Sequence, residues 1–184
     1  MNKNKLIIIS GPSGVGKSTI RDKIVKSNDK YWYSISMTTR PPRENEKNGI
    51  DYYFVTKEEF SKNIKNNNFI EYVEVYKDIF YGTPKNIIKE KLKENYTVIL
   101  EIDVEGALKI KKEFPNAVLI FIAPPSTEEL KKRLTNRKTN SKKDIEERLN
   151  RSLKELEYQK YYDHIIINNN IDDAVQDIIN IIEK

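Results

Sequence analysis

Cysteine is absent from this 184-residue sequence, and histidine occurs once, at His164. Without cysteine there is neither a disulfide framework nor a thiolate metal site, and one histidine cannot form a histidine cluster. The absence fits a reducing, cytoplasmic compartment. Long apolar runs are missing too: Leu6 to Ile9 and Ala117 to Ala123 fall far short of a membrane span or a signal-peptide core. The reading is of a soluble, unprocessed protein with no membrane association. The chain does not lack apolar residues as disordered chains do, with 38% apolar and 33% charged positions. Its length suits one domain with a real core and room for small inserted lobes. No internal repeat is present.

Neither sign of charge dominates strongly. Thirty-three basic and 28 acidic residues leave a net charge of +5, which lysines spread over helix faces explain as solubility better than nucleic-acid contact does. Two arginine groups resist that account: Arg40 and Arg43 beside prolines, and Arg133, Arg137, Arg148 and Arg151 in one later stretch. Arginine suits forked contacts with phosphate oxygens, so a small phosphorylated ligand would explain both.

Period and punctuation give alternating strands and helices, hence an α/β fold with a parallel sheet flanked by helices. Lys5 to Ile9, Val98 to Ile102 and Ala117 to Ile122 are runs of strand length, apolar apart from Lys5 and Glu101, as expected for strands buried on both faces; Ile165 to Ile167 after His164 is a shorter one. Ser126 with Glu129 reads as a capping box for a helix through about Leu134, and Ser141 with Asp144 opens another. Ile145, Leu149, Leu153 and Leu156 recur there at helical spacing and predict a buried stripe. Asp172 is the expected cap of a C-terminal helix that buries Val175, Ile178, Ile179 and Ile182. Residues 34 to about 83 are rich in tyrosine, phenylalanine and threonine, with a turn signal at Asn48-Gly49, which predicts a small antiparallel lobe. Residues 136 to 144 are almost wholly polar and read as a mobile loop.

The strongest single motif is Gly11-Pro12-Ser13-Gly14-Val15-Gly16-Lys17-Ser18, a full match to G-x-x-x-x-G-K-[ST] directly after a strand and before a helix that includes Thr19. Glycines let successive N–H groups face inward, and the helix N-terminus adds free donors and partial positive charge. Lys17 can reach the β- and γ-phosphates of ATP, and Ser18 can offer its hydroxyl to Mg2+. The motif marks nucleoside triphosphate binding but leaves the fate of the bound nucleotide open. Asp103 to Gly106 imitates the D-x-x-G element of GTPases, but no N-K-x-D run is present to read guanine. Motor and recombination ATPases need machinery for which this length leaves little room.

Ser34 to Arg43, continuing to Glu46, Gly49, Asp51, Tyr52, Tyr53 and Phe54, resembles the signature of the guanylate kinase family, and Phe69 to Tyr72, Tyr81-Gly82-Thr83 and Glu101 to Gly106 come next in that family's order. The resemblance covers essentially the whole chain. It implies a P-loop nucleotide kinase moving the γ-phosphoryl group of ATP to GMP, and also to dGMP, with Mg2+. Arg40, Arg43, Tyr53 and Tyr81 would hold the GMP phosphate; Glu71 would accept from guanine N1-H and the 2-amino group, and Ser36 and Thr83 would contact O6. Asp103 and Gly106 would belong to the acceptor side. Arg133, Arg137 and Arg148 would come over the transferring phosphates, with Lys17, Arg137 and Arg148 carrying catalysis; Arg151 has a weaker claim. The implied layout is one domain over residues 1–184: core 1–33, 84–135 and 149–184, a GMP-binding lobe at about 34–83 and a lid at about 136–148. Lys138 and Glu101 depart from the family pattern, where glycine and aspartate are common. A kinase for AMP, dTMP or shikimate shares the loop but has no reason to carry the Arg40 to Phe54 stretch. Non-catalytic scaffold modules of the same fold typically have degraded phosphate loops. ATP and GMP are the expected partners, with no protein partner implied.

Overall fold

The computed structural model describes residues 5–76, 78–135 and 142–184. The chain begins with β1 (Leu6–Ser10), the glycine-rich loop, α1 (Lys17–Ser27) and β2 (Tyr31–Tyr33). A second sheet comes next, made of β3 (Met37–Thr38), β4 (Tyr53–Phe54), β5 (Phe69–Tyr76) and β6 (Ile79–Pro84), with α2 (Lys57–Lys65) between β4 and β5. The chain then returns through α3 (Lys85–Lys93), β7 (Thr97–Glu101), α4 (Val104–Glu113), β8 (Val118–Ala123), α5 (Thr127–Thr135) and α6 (Lys142–Leu156). A short 3-10 helix (Glu157–Tyr161), β9 (His164–Ile167) and α7 (Ile171–Glu183) complete it.

The first sheet has five strands in the order β2-β7-β1-β8-β9, all parallel, with Ile8 opposite Leu100 on one side and Leu119 on the other. Alternate side chains of a strand point to opposite faces. Ile7 and Ile9 therefore meet Ile20 and Ile24 of α1 and Ile178 and Ile182 of α7, while Leu6 and Ile8 meet Ile88 of α3 and Ala107 and Ile110 of α4. Covering on both faces is why these strands read as unbroken apolar runs. It also places the loop after β1 at the middle of the sheet's carboxyl edge, where α/β folds form their ligand crevice.

The second sheet runs β4-β3-β6-β5, and it is mixed instead of purely antiparallel as expected. β3 pairs with β4 in parallel, while β6 is antiparallel to both β3 and β5. The Asn48-Gly49 turn lies within the connection 39–52, which is long enough to bring the chain back in the same direction; a tight hairpin is not. Helix α2 is an addition to the expected lobe. Thr56 caps it by accepting from the Glu59 N–H at 3.1 Å, and its buried Phe60 stacks on Phe69 with ring centroids 4.6 Å apart.

Ser126 Oγ accepts from the Glu129 N–H at 3.1 Å, as the capping motif predicts. The expected cap Ser141 lies outside the described residues. Along α6 the predicted stripe is shallow over the side chains described, from residue 146 on: Leu149 is half-buried, Leu153 is exposed, Leu156 packs at the edge of a small cluster around Phe121, and the wholly buried residue there is Ser152, while the Ile145 side chain lies outside the described ones. The reason is that α6 packs chiefly against α5 and meets the sheet at its far end, where Leu156 lies beside Phe121. On α7 the buried stripe is Ala174, Ile178 and Ile182, flanked by Val175 and Ile181, so Ile179 falls at its margin. The cap is Asn170, not Asp172: Asn170 Oδ1 accepts from the Asp172 N–H at 2.8 Å, and Asp172 instead pairs with Lys23 at 2.6 Å.

This difference is measurable. Asn170→Ala removes the capping acceptor and is expected to cost about 1 kcal/mol, whereas Asp172→Ala loses an exposed ion pair and is expected to cost roughly half that or less. Urea denaturation of both variants decides the order.

Candidate functional site

Gly11 leaves β1 at φ 144°, and a Cβ there would lie 2.2 Å from the Ile122 carbonyl oxygen of β8, so the loop passes where only glycine fits. Val15 is wholly buried and can offer only its main chain. Gly16 is the N-cap of α1 with no side-chain capping bond, which leaves the helix's first N–H groups for another acceptor. Lys17 is half-buried, and its Nζ spans the loop, donating to the Gly11 and Pro12 carbonyls at 2.7 and 3.0 Å. Ser18 Oγ donates to Glu101 Oε1 at 2.9 Å, and Arg21 reaches Glu101 Oε2 at 2.9 Å while stacking 4.1 Å above the Tyr33 ring. Thr19 is exposed in the first turn.

A cavity of about 750 Å³ runs from this loop to the second sheet, a volume suited to small-molecule ligands. Gly11, Ser13 and Lys17 line one end; Ser36, Arg43, Tyr52, Glu71 and Tyr81 line the other. Asp103 and Glu101 come from the end of β7, and Arg148 and Arg151 from α6.

At the far end sits Glu71, only 7% exposed. Its Oε1 accepts from Thr83 Oγ1 at 2.7 Å, and its Oε2 is buried without a hydrogen-bond partner. Burial pushes the carboxyl up to about 7; nearby Asp103 adds to the rise, while the Thr83 bond and Lys109 oppose it. Gly106, in the first turn of α4, permits this closeness, since a Cβ there would lie 3.0 Å from Glu71 Oε2. Asp103 caps α4 by accepting from the Glu105 and Gly106 N–H groups at 3.0 and 2.8 Å through Oδ1.

Arg40 is fixed from three sides. Its Nη2 donates to both Glu46 carboxylate oxygens at 2.8 and 2.9 Å, its Nε donates to the Tyr81 hydroxyl at 3.1 Å, and the guanidinium lies over the Tyr52 and Phe54 rings. Glu46 is held below the usual carboxylate range by a main-chain bond from Arg43 and by the Arg40 guanidinium, which together outweigh its desolvation. Arg43 is exposed and lines the cavity.

The structure thus brings Lys17, Ser36, Arg43, Glu71, Tyr81, Asp103 and Arg148 to one cavity, with Arg40, Thr83 and Gly106 directly behind its lining residues. Tyr53 is corrected. Tyr52 and Phe54 share the face beneath Arg40, and strand alternation turns Tyr53 to the other face, near Gly49. The lining residue is Tyr52, packed edge-on to Tyr81 at 5.7 Å. Arg133 does not line the cavity; it bonds Glu129 and the Asn168 carbonyl behind the loop. Arg137 and Lys138 lie outside the described residues, as does the 136–141 part of the expected lid. Sequence reasoning missed Tyr52, Glu46, Arg21 and Glu101 as members of the site. Period-two alternation over Tyr52 to Phe54 carried the signal for the first, and Glu46 lies within six residues of the Arg40 it holds; Arg21 and Glu101 depend on a contact across the fold.

A central parallel strand running into an uncapped, glycine-lined helix start, with a second sheet across one cavity, defines a P-loop kinase. The family model described as guanylate kinase matches residues 3–184. A guanylate kinase of Fusobacterium nucleatum is 49% identical over 100% of this chain and 98% of its own length, and one of Clostridium tetani is 45% identical over 99% and 86%. A crystal structure of guanylate kinase from Anaplasma phagocytophilum superposes with a TM-score of 0.82 at 33% identity, covering 99% of this chain and 86% of that one. The chain belongs to the guanylate kinase family.

The raised carboxyl of Glu71 makes stability depend on pH. The folded protein holds this proton more tightly than the unfolded chain, so the contribution is fully present below about 4.5 and is lost as pH rises through about 7. Glu71→Gln keeps the shape without the charge. It is expected to exceed the wild type in stability at about pH 8 by on the order of 1–3 kcal/mol, the gap closing toward pH 4.5. Urea melts at both pH values give the answer, and a gap independent of pH would refute the buried, proton-holding carboxyl.

Proposed function

We propose that this chain transfers the γ-phosphoryl group of ATP directly to GMP, and to dGMP as a second acceptor. The observation that carries the reading is the buried Glu71 with an unpartnered oxygen at one end of a cavity whose other end is the glycine-rich loop. Guanine offers two adjacent donors, N1-H and the 2-amino group, and the carboxylate accepts both. Thr83 already donates its single hydroxyl proton to Glu71, so it orients the carboxylate and leaves Ser36 as the hydroxyl donor for O6. Arg43 and Tyr81, with Arg40 steadied by Glu46, meet the acceptor phosphate.

At the other end the uncapped N-terminus of α1 and Lys17 take the donor's phosphates, Lys17 exchanging its main-chain carbonyls for phosphate oxygens. Arg148, which makes no ion pair among the described residues, faces the cavity between donor and acceptor and neutralises charge on the migrating group. Among the described residues no cluster of three or more acidic or histidine side chains could hold a metal alone. Mg2+ binds largely through phosphate oxygens and water, with few protein ligands. Ser18 would hold it, with Glu101 fixing the Ser18 hydroxyl. When bound, the ion neutralises phosphate charge and orients the γ-phosphoryl group.

A coupled assay against a panel of monophosphates tests the acceptor. GMP is expected first, then dGMP, with AMP, UMP and dTMP far behind; equal turnover of AMP would reject the assignment. IMP, which lacks the 2-amino group, should be disfavoured by roughly tenfold or more, the worth of one charge-assisted bond. Glu71→Gln should shrink that preference, and an unchanged GMP to IMP ratio would remove Glu71 from base reading.

Arg148 is expected to act on the chemical step. Arg148→Ala should lower kcat by about a hundredfold with a smaller change in GMP affinity. Loss of thermal stability with kcat intact would leave it a solvated helix residue.

A further inference from the structure

Asn168 directly succeeds β9 and is 2% exposed. Its main-chain N–H donates to the Ala123 carbonyl at 2.8 Å, and its own carbonyl accepts from Arg133 at 3.2 Å. Its side-chain Nδ2 crosses to the glycine-rich loop and donates to the Val15 carbonyl at 2.7 Å. Val15 is wholly buried, and no other hydrogen bond to its carbonyl is found among the described residues. The loop backbone rests on this amide, since a Cβ on Gly16 would lie 2.8 Å from Nδ2.

The geometry of one peptide unit gives this contact its consequence. The chain has no cis peptide bond among the described residues, so the Val15 carbonyl and the Gly16 N–H point in opposite directions. A donor that holds the carbonyl outward also holds the next N–H away from Asn168. An anion-binding loop needs its N–H groups turned inward together, and a peptide free to flip would present a carbonyl to phosphate instead.

We infer that Asn168 is a positioning residue for the donor nucleotide: through the Val15 carbonyl it fixes the inward aim of the Gly16 N–H, and through its own carbonyl it ties the loop to Arg133 on α5. The inference rests on the reading that this loop takes the phosphates of ATP. Asn168 touches no reacting atom; its effect passes through the loop, so it belongs to the donor side and leaves the acceptor side alone.

Two substitutions separate this role from packing. Asn168→Ser is too short to reach Val15 but keeps the main-chain bonds to Ala123 and Arg133. Asn168→Asp keeps the shape and replaces the donor with an acceptor. In both, KM for ATP is expected to rise about three- to tenfold, the worth of one buried hydrogen bond, while KM for GMP stays within about twofold. The rise in Tm produced by ATP should shrink, and that produced by GMP should not. Should the Asp variant fail to fold, the Ser variant decides. Equal increases in both KM values, or a lower Tm with KM for ATP unchanged, would overturn the inference. A wild type whose Tm does not respond to ATP would reject the donor-site reading itself, a failure seen before any variant is made.

Discussion

β1 is a strand with no exposed face. Its isoleucines meet helices on both sides, and both edges are paired, to β7 and β8. A main chain so enclosed has no freedom at its end, and the loop that leaves it is pressed against the β8 backbone at Gly11. Burial of that one strand therefore sets where the open helix N-terminus of α1 lies and which way its donors face. The neighbouring strands end at the same edge, which is why Glu101 and Asp103, at and just beyond the end of β7, fall beside the loop.

The second sheet solves a different problem, which is to keep a carboxylate out of water. Glu71 opposes Thr83 across the β5–β6 pair, and the first turn of α4 closes over it because Gly106 has no side chain. An acceptor held this way is costly, and under the proposed function the cost makes it selective: a ligand with the wrong pattern leaves the same atom unpaired. The neighbouring cations are treated oppositely. Arg40 is held by Glu46, Tyr81 and two aromatic rings, so its position is set before any ligand arrives.

Much of this is legible in residue order. The continuous apolar runs mark the core strands because strands buried on both faces need no alternation. The glycine-rich loop is legible because its chemistry is local: glycine φ angles, a helix start and a lysine lie within one short stretch. The second sheet is less so. Its parallel β3–β4 pair depends on a long connection whose path no short motif records, and α2 is hidden inside a stretch rich in strand-forming residues. The stripe of α6 turns out shallow because helical periodicity shows that a face is apolar, not what covers it.

The sequence by itself determined the class of chemistry, since a complete phosphate-loop motif between a strand and a helix admits few alternatives, and whole-chain motif order points to the family. Tertiary structure decided which side chains share the cavity. It selected Tyr52 over Tyr53, since strand alternation gives meaning only once a neighbour such as Arg40 marks one face. It gave Thr83 to Glu71, and it joined Asn168 to Val15 across most of the chain's length. Those contacts are distances between residues far apart in order, and only a packed fold brings them within reach of a hydrogen bond.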